Sequence, residues 1–281
     1  MRMITTGDKA VQRILGRKMD PGYFRHPKGT KKPLFSVLKG GEWRDQRCFV
    51  VGGGPSLRGF DFWRLKGQGR IIVCNKAFLN VPFADMMIAM DADLYRWINS
   101  GALTNKPADK KDIQTKFRKF QGLKVWIEVG NNRMDNVHYV HSFRLPQVTR
   151  RFTQGIYTGN NTGTGALMAA VTLGCNPIYL LGIDGRHEGK RSHYHSGYPG
   201  RPQMAKTAAS FVPTFNRVAK PIKKAGVKVI SLNPRSAVRC FPFSTIDEVL
   251  RNDKIRDNEK EMGGLGISPE STDGDESRME S

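Results

Sequence analysis

The chain has no apolar run long enough to cross a bilayer, and carboxylates are scarce, with 25 Asp and Glu against 46 Lys and Arg. The first absence excludes a membrane-spanning helix. The opening residues, Met1-Arg2-Met3-Ile4-Thr5-Thr6-Gly7-Asp8, lack the apolar stretch of a secretory signal, so the expected location is cytoplasmic. Cysteine is also sparse. Cys48, Cys74, Cys175 and Cys240 lie far apart, which argues against a disulfide framework and a cysteine-rich zinc site and leaves them as small hydrophobes. His138 and His141 form an H-x-x-H pair, but their neighbours Val137, Tyr139, Val140 and Phe143 read as a strand. No carboxylate or cysteine completes a ligand set, so no metal site is expected.

The shortage of carboxylates leaves a formal net charge of +21 on 281 residues. The segment from Asp253 to the end is net acidic, so the rest is more basic than the whole. Such a surface attracts polyanions: nucleic acid first, phosphorylated small molecules second, anionic membrane third. A basic surface with no specific polyanion partner fits the same numbers.

The length suits one generous core, and apolar segments continue with little interruption from Phe49 to Leu250. Residues 1–46 are polar, basic and interrupted by Pro21, Pro27 and Pro33, and read as an N-terminal extension with at most one short helix, near Lys9–Lys18. Residues 47–252 form the folded domain, and residues 253–281 read as a disordered acidic tail.

Within the domain, strand-forming runs alternate with helical ones, the pattern of an α/β fold with a mostly parallel sheet and helices on both faces. Strands are expected at Cys48–Val51, Arg70–Cys74, Met86–Met90, Leu123–Val129, Pro177–Leu181 and Val227–Leu232. Helices are expected at Leu57–Leu65, Leu94–Ile98, Asp109–Phe120, Ala166–Leu173 and Gln203–Lys224, with a last short one starting at Ser244.

Two glycine-bearing turns carry the chemical signal. In the first, Cys48-Phe49-Val50-Val51 runs into Gly52-Gly53-Gly54-Pro55-Ser56-Leu57. Glycines allow close backbone approach, and proline suits a first helical position. The free N–H groups of a helix start then favour an anion such as phosphate. Leu57 stands where a dinucleotide fingerprint needs its third glycine, and no Gly-Lys-Ser/Thr follows, so neither standard nucleotide motif is present. In the second, Gly159-Asn160-Asn161-Thr162-Gly163-Thr164-Gly165 opens a helix of small residues and offers further N–H groups and hydroxyls. Packing against the sheet accounts for Ala166, Ala169 and Ala170 but not for the polar run before them. Tight turns built for packing alone remain the structural alternative.

Other candidates sit at strand ends. Asn75 follows the second strand where a dinucleotide fold places its ribose-binding acid, and it could equally be a turn residue. Asp91 and Asp93 close the third strand as a D-x-D pair. Asp93 reads as a helix N-cap, and Asp91 as a residue lining the site. Asp184 ends Gly182-Ile183-Asp184. Residues Arg186 to Arg201, with His187, His193, Tyr194, His195 and Tyr198, form a connection long enough to be a lid.

Taken together, Val51-Gly52-Gly53-Gly54-Pro55-Ser56-Leu57, Cys74-Asn75, Asn161-Thr162-Gly163, the run from Gly174 through Ile178-Tyr179-Leu180 to Gly182-Ile183-Asp184, Ser192-His193-Tyr194 and Asn233-Pro234 with Ser236 resemble the bacterial sialyltransferases of glycosyltransferase family 42. They are similar too to related pterin-diphosphokinase-like proteins with the same strand-GxGPSL start. The resemblance covers about residues 47–250.

It implies a single Rossmann-like domain with a lid, a CMP-sugar donor, no required cofactor and inversion without metal. Carried over, the loop Gly52, Gly53, Gly54, Pro55, Ser56 and the pair Thr162-Gly163 hold the nucleotide, with Asn75 on its ribose or base; Asp91, Asn161 and Asp184 are further nucleotide-binding candidates. His195, with His193 second, is the general base that takes the acceptor hydroxyl's proton, its imidazole expected to titrate near working pH. The family's asparagine in the first loop is Gly53 here. The aromatic residues after its Gly-Ile-Asp are Gly185 and Arg186, so Arg186, Tyr194 and Tyr198 are the substitutes for its leaving-group phosphate contacts.

Three functions compete. One is group transfer from a nucleotide-activated donor to an acceptor hydroxyl, the acceptor being a polyanion such as DNA on the strength of the charge. Another is a diphosphokinase acting on a pterin-like alcohol, with Mg held by Asp91 and Asp93. The third is nucleic-acid binding without catalysis.

Overall fold

A computed structural model describes residues 32–104, 106–127, 134–159, 161–189, 193–195, 198 and 205–251. The expected helix at Lys9–Lys18, the turn at Gly130-Asn131-Asn132 and the acidic tail lie outside them.

The fold is α/β and Rossmann-like. Eight strands, β1 (Lys32–Pro33), β2 (Cys48–Val51), β3 (Arg70–Cys74), β4 (Met86–Ala89), β5 (Leu123–Ile127), β6 (His138–Val140), β9 (Ile178–Leu181) and β10 (Val229–Ser231), form one sheet in the order β1-β6-β5-β4-β3-β2-β9-β10. Every pairing is parallel. Two short strands, β7 (Ser142–Phe143) and β8 (Ile156–Tyr157), pair separately. The central strands are buried on both faces, which is why they read as continuous apolar runs.

Alternation along each strand divides the core in two. Cys48, Val50, Ile72, Cys74, Met86 and Ile88 face α3 (Thr162–Thr172) and α4 (Ala205–Lys224). Phe49, Val51, Ile71, Val73, Met87 and Ala89 face the opposite layer, which includes α1 (Ala92–Ser100) and α2 (Pro107–Lys119). Helix α3 is buried all round from Thr164 to Thr172. Its small residues are what packing demands, since a Cβ on Gly165 would lie only 2.6 Å from Ile127 Cδ1.

Two expectations need correction. The folded region begins before residue 47: β1 pairs with β6, and Leu34, Leu38 and Trp43 are buried in the α3-side core. Backbone bonds from Gly41, Trp43 and Asp45 N–H to Thr172, Leu173 and Gly174 carbonyls, each 2.9 Å, fasten this segment to the end of α3. Leu34, Phe35, Val37, Leu38 and Trp43 are set among Lys, Gly and Pro, and Phe35 and Val37 stay exposed, so the segment reads as an extension.

The helix expected over Leu57–Leu65 is instead two 3-10 turns, Pro55–Leu57 and Phe62–Leu65. Gly59 between them takes a left-handed φ of 73°, and Asp61 caps the second turn by accepting from the Trp63 N–H at 3.0 Å. The four cysteines are free thiols, and Cys48, Cys74 and Cys175 are buried as expected. His138 lies in β6, as its neighbours indicated. Among the described residues no helix is long and apolar enough to cross a membrane.

Candidate functional site

The chain runs outward from β2 through β3, β4 and β5 to β6, then returns to β9 on the other side of β2. That reversal opens a crevice at the carboxyl ends of β2 and its neighbours, where ligands of open α/β sheets bind. The candidate residues from the sequence lie on several elements.

The first glycine turn is largely occupied by the protein itself. Gly52 N–H donates to the Leu181 carbonyl at 2.7 Å, and Gly54 N–H to that of Gly182 at 2.8 Å. Ser56 donates its N–H to Asp184 Oδ2 at 2.8 Å and its hydroxyl to Asp184 Oδ1 at 2.7 Å. Asn233 donates its side-chain amide to the same Oδ1 at 2.8 Å. A helix start was expected to offer free N–H groups to a ligand anion. The anion found there is the Asp184 carboxylate, only 3% exposed. Gly52 and Gly54 are small because a side chain would collide with the β9 end: Gly52 with Gly182 and Ile183, Gly54 with Asp184. Gly53 differs, since a Cβ there would lie 3.1 Å from His193 Cδ2 and 3.4 Å from His195 Nε2.

The second turn starts an α-helix and is capped from within. Asn161 Oδ1 accepts from Thr164 N–H at 2.7 Å, and its amide donates to the hydroxyls of Thr164 at 2.8 Å and Thr214 at 2.6 Å. Thr162 instead turns to the end of β3, donating its hydroxyl to Asn75 Oδ1 at 3.4 Å. The two turns meet across one side chain. Ile183 Cδ1 would lie 2.6 Å from a Cβ on Gly52 and 3.1 Å from one on Gly163.

Asn75 adopts φ 52°, a left-handed conformation that asparagine tolerates, and begins the 3-10 turn Asn75–Leu79. Beside it Lys76 is only 5% exposed. Sequence reasoning passed over this lysine; the available signal was a charged residue directly ahead of the apolar run Ala77-Phe78-Leu79.

The described lid residues lie over Gly53. Tyr194 N–H donates to the Gly53 carbonyl at 3.1 Å, and its hydroxyl to Asn80 Oδ1 at 3.1 Å. The His193 and His195 rings stack at 4.7 Å between centroids with 22° between planes. Both stand edge-on to Tyr198 at 5.4 Å. Burial, with the positive charge of Lys76 and neighbouring His187, lowers His193 to about 4. Burial, then His193 and Lys76, lowers His195 to about 2. The expectation of an imidazole titrating near working pH is therefore corrected: both rings are neutral across the physiological range. Burial also raises the phenols of Tyr194 and Tyr198 and lowers the Lys76 amine.

The acidic pair divides. Asp91, not Asp93, occupies the N-cap position of α1, without a side-chain capping bond, and its carbonyl accepts from the Trp126 indole at 3.0 Å. Asp91 lies close enough for its charge to raise the Tyr198 phenol. Asp93 pairs with Arg96 one turn on. The two carboxylates thus keep different company, Asp91 within reach of the Tyr198 phenol and Asp93 on Arg96. Arg186 lines a small cleft with Pro55, Ser56, Asp184, Glu188, Asn233 and Arg235, while Tyr194 and Tyr198 belong to the histidine cluster. Among the described residues no group of three or more His, Cys, Asp or Glu side chains is arranged to hold a metal ion.

Solved structures with a similar course of chain include the MAf glycosyltransferase from Magnetospirillum magneticum AMB-1, at a TM-score of 0.49 and 14% identity over 85% of this chain and 41% of that one. This chain therefore spans less than half the length of that protein. The sialyltransferase CstII from Campylobacter jejuni, in complex with the substrate analogue cytidine-5'-monophosphate, gives a TM-score of 0.41 and 13% identity over 71% of this chain and 85% of that one. Its complex with CMP-3FNeuAc gives 0.38 and 12%, over 70% and 85%. At such identities the likeness is one of fold. No protein-family profile matches the sequence, and no curated protein matches it either.

Proposed function

We propose that this chain transfers a group from a nucleotide-activated donor, with a CMP-sugar as the first candidate, to an acceptor hydroxyl. One observation carries the reading: a stacked pair of neutral imidazoles, His193 and His195, packs on Gly53 at the reversal point of a parallel sheet.

A neutral imidazole has a lone pair ready for a proton. In the proposed reaction the acceptor oxygen bonds to the anomeric carbon while the bond from that carbon to the donor phosphate breaks. The phosphate leaves with the electron pair, and the acceptor's proton passes to His195. With the donor bound, its negative charge favours the imidazolium, raising the histidine from its depressed value at the moment a base is needed. On this reading Asn75 and Thr162 take ribose and phosphate oxygens, their side chains already meeting at 3.4 Å. Ser56, Asn161 and Asp184 shape the site, since their polar side-chain atoms are engaged within the protein.

Calorimetry with CMP and with ATP, each with and without magnesium, tests the reading. CMP binding that is indifferent to magnesium is expected. ATP binding that requires magnesium, with no response to CMP, would overturn it in favour of a diphosphokinase.

A further inference from the structure

Resting on that reading, we infer that Lys76 is the phosphate anchor of the site, its ammonium taking the donor's leaving-group phosphate together with the Thr162 hydroxyl, Asn75 and the first turn of α3. Three observations converge. Lys76 sits at the carboxyl end of β3, next to the Asn75 that meets Thr162, on the sheet edge where the strand order reverses. It is almost wholly buried, its Nζ 5.6 Å from the centre of the Tyr198 ring, and its charge reaches both His193 and His195. The other place for a phosphate, the first glycine turn, has its Gly52, Gly54 and Ser56 N–H groups committed to β9 and Asp184.

A buried ammonium beside two neutral imidazoles is a positive centre that attracts a phosphate. The 11-residue helix α3 adds the positive end of its dipole at Thr162. Of the residues that the resemblance offered for the phosphate, Arg186 lies beside the Asp184 carboxylate, and the Tyr194 hydroxyl is donated to Asn80. Lys76 replaces them as the cation.

The competing role is structural, an amine held against aromatic rings for packing. Calorimetry on wild type, Lys76→Met and Lys76→Arg with three probes, CMP, cytidine and inorganic pyrophosphate, separates the two. The methionine keeps the stem and removes the charge. Expected is a CMP affinity about 10- to 100-fold weaker in Lys76→Met, with cytidine unchanged and Lys76→Arg within about fivefold of wild type.

Equal CMP affinity in wild type and Lys76→Met overturns the anchor and leaves the transferase reading standing. Equal weakening of CMP and cytidine overturns the anchor in favour of packing. Pyrophosphate binding that depends on Lys76, without response to CMP or cytidine, keeps the anchor and removes the nucleotide reading. Binding of none of the three by folded wild type removes both. Should Lys76→Met fail to fold, the amine signal of Lys76 in wild type labelled at lysine Cε decides: it shifts on adding CMP if the anchor is right and stays fixed if it is wrong.

Discussion

The two glycine-bearing turns look alike in sequence and differ in what they leave available. The first, Gly52 to Ser56, leads into a single 3-10 turn, Pro55–Leu57, and its Gly52, Gly54 and Ser56 donors end on Leu181, Gly182 and Asp184. The second, Asn161 to Gly165, starts a long helix and is capped by its own Asn161, while Thr162 faces Asn75. A turn rich in glycine states that backbone must come close to something. In the first turn that something is another strand of the same protein, and only Gly53 faces the histidines. On the proposed function, the difference puts ligand binding on the β3 and α3 side of the crevice.

The contrast is broken most severely by Asp184→Ala. That change leaves the Ser56 and Asn233 donors without their buried acceptor, and stability should fall by about 4 kcal/mol, read from the urea midpoint. If the loss is under about 1 kcal/mol, the carboxylate is not the turn's internal anion.

His195→Ala belongs to the open side. It should lower transfer turnover by about 100-fold or more while CMP affinity stays within about threefold, measured by steady-state kinetics beside calorimetry. An equal loss in both would make the ring a binding group.

Gly52→Ala and Gly53→Ala sharpen the comparison within one turn. The first drives a methyl group into Gly182 and should cost about 2 kcal/mol in a thermal or chemical melt. The second meets only the tips of two imidazoles and should leave stability within about 0.5 kcal/mol while reducing turnover. Asn161→Ala removes the cap of α3, with an expected loss of about 1.5 kcal/mol.

The comparison extends to pH. His193 and His195 are lowered in the folded chain from 6.5 to about 4 and about 2, so the unfolded chain binds protons that the folded one refuses. Their contribution to stability is therefore flat above pH 6.5 and declines as the pH falls below it. The slope should be roughly 1 kcal/mol per pH unit for each ring, discounted for partial exposure. His193→Gln with His195→Gln should flatten the decline, and an unchanged slope would mean that the rings are solvated.

The sheet was legible because its strands are buried on both faces. Cys48–Val51 and Arg70–Cys74 stand where the apolar runs placed them, and helices α2, α3 and α4 lie within a few residues of their expected spans. What stayed hidden had either no period or a period that a local bond overrode. Leu34, Leu38 and Trp43 enter the core from a polar, basic stretch. The Leu57–Leu65 segment lost its helix to Gly59 and the Asp61 cap. Asp93 reads as a cap in one dimension, but its carboxylate turns to Arg96. At the site, the glycines, Asn75, Thr162 and the histidines could be picked out by residue type, whereas Lys76 depends on burial, which composition does not report. The capture of Ser56 by Asp184 joins residues that no local pattern connects.

That capture also bears on how the molecule assembles. The Asp184 carboxylate links Ser56 across 128 residues of chain and Asn233 across 49. Early-made segments around β2 thus cannot settle their turn until β9 has inserted beside them, and Asn233 arrives only after β10. The mouth of the crevice is accordingly a late-closing part of the fold, and a nascent chain halted before residue 184 should expose that turn to proteases that leave the finished protein uncut.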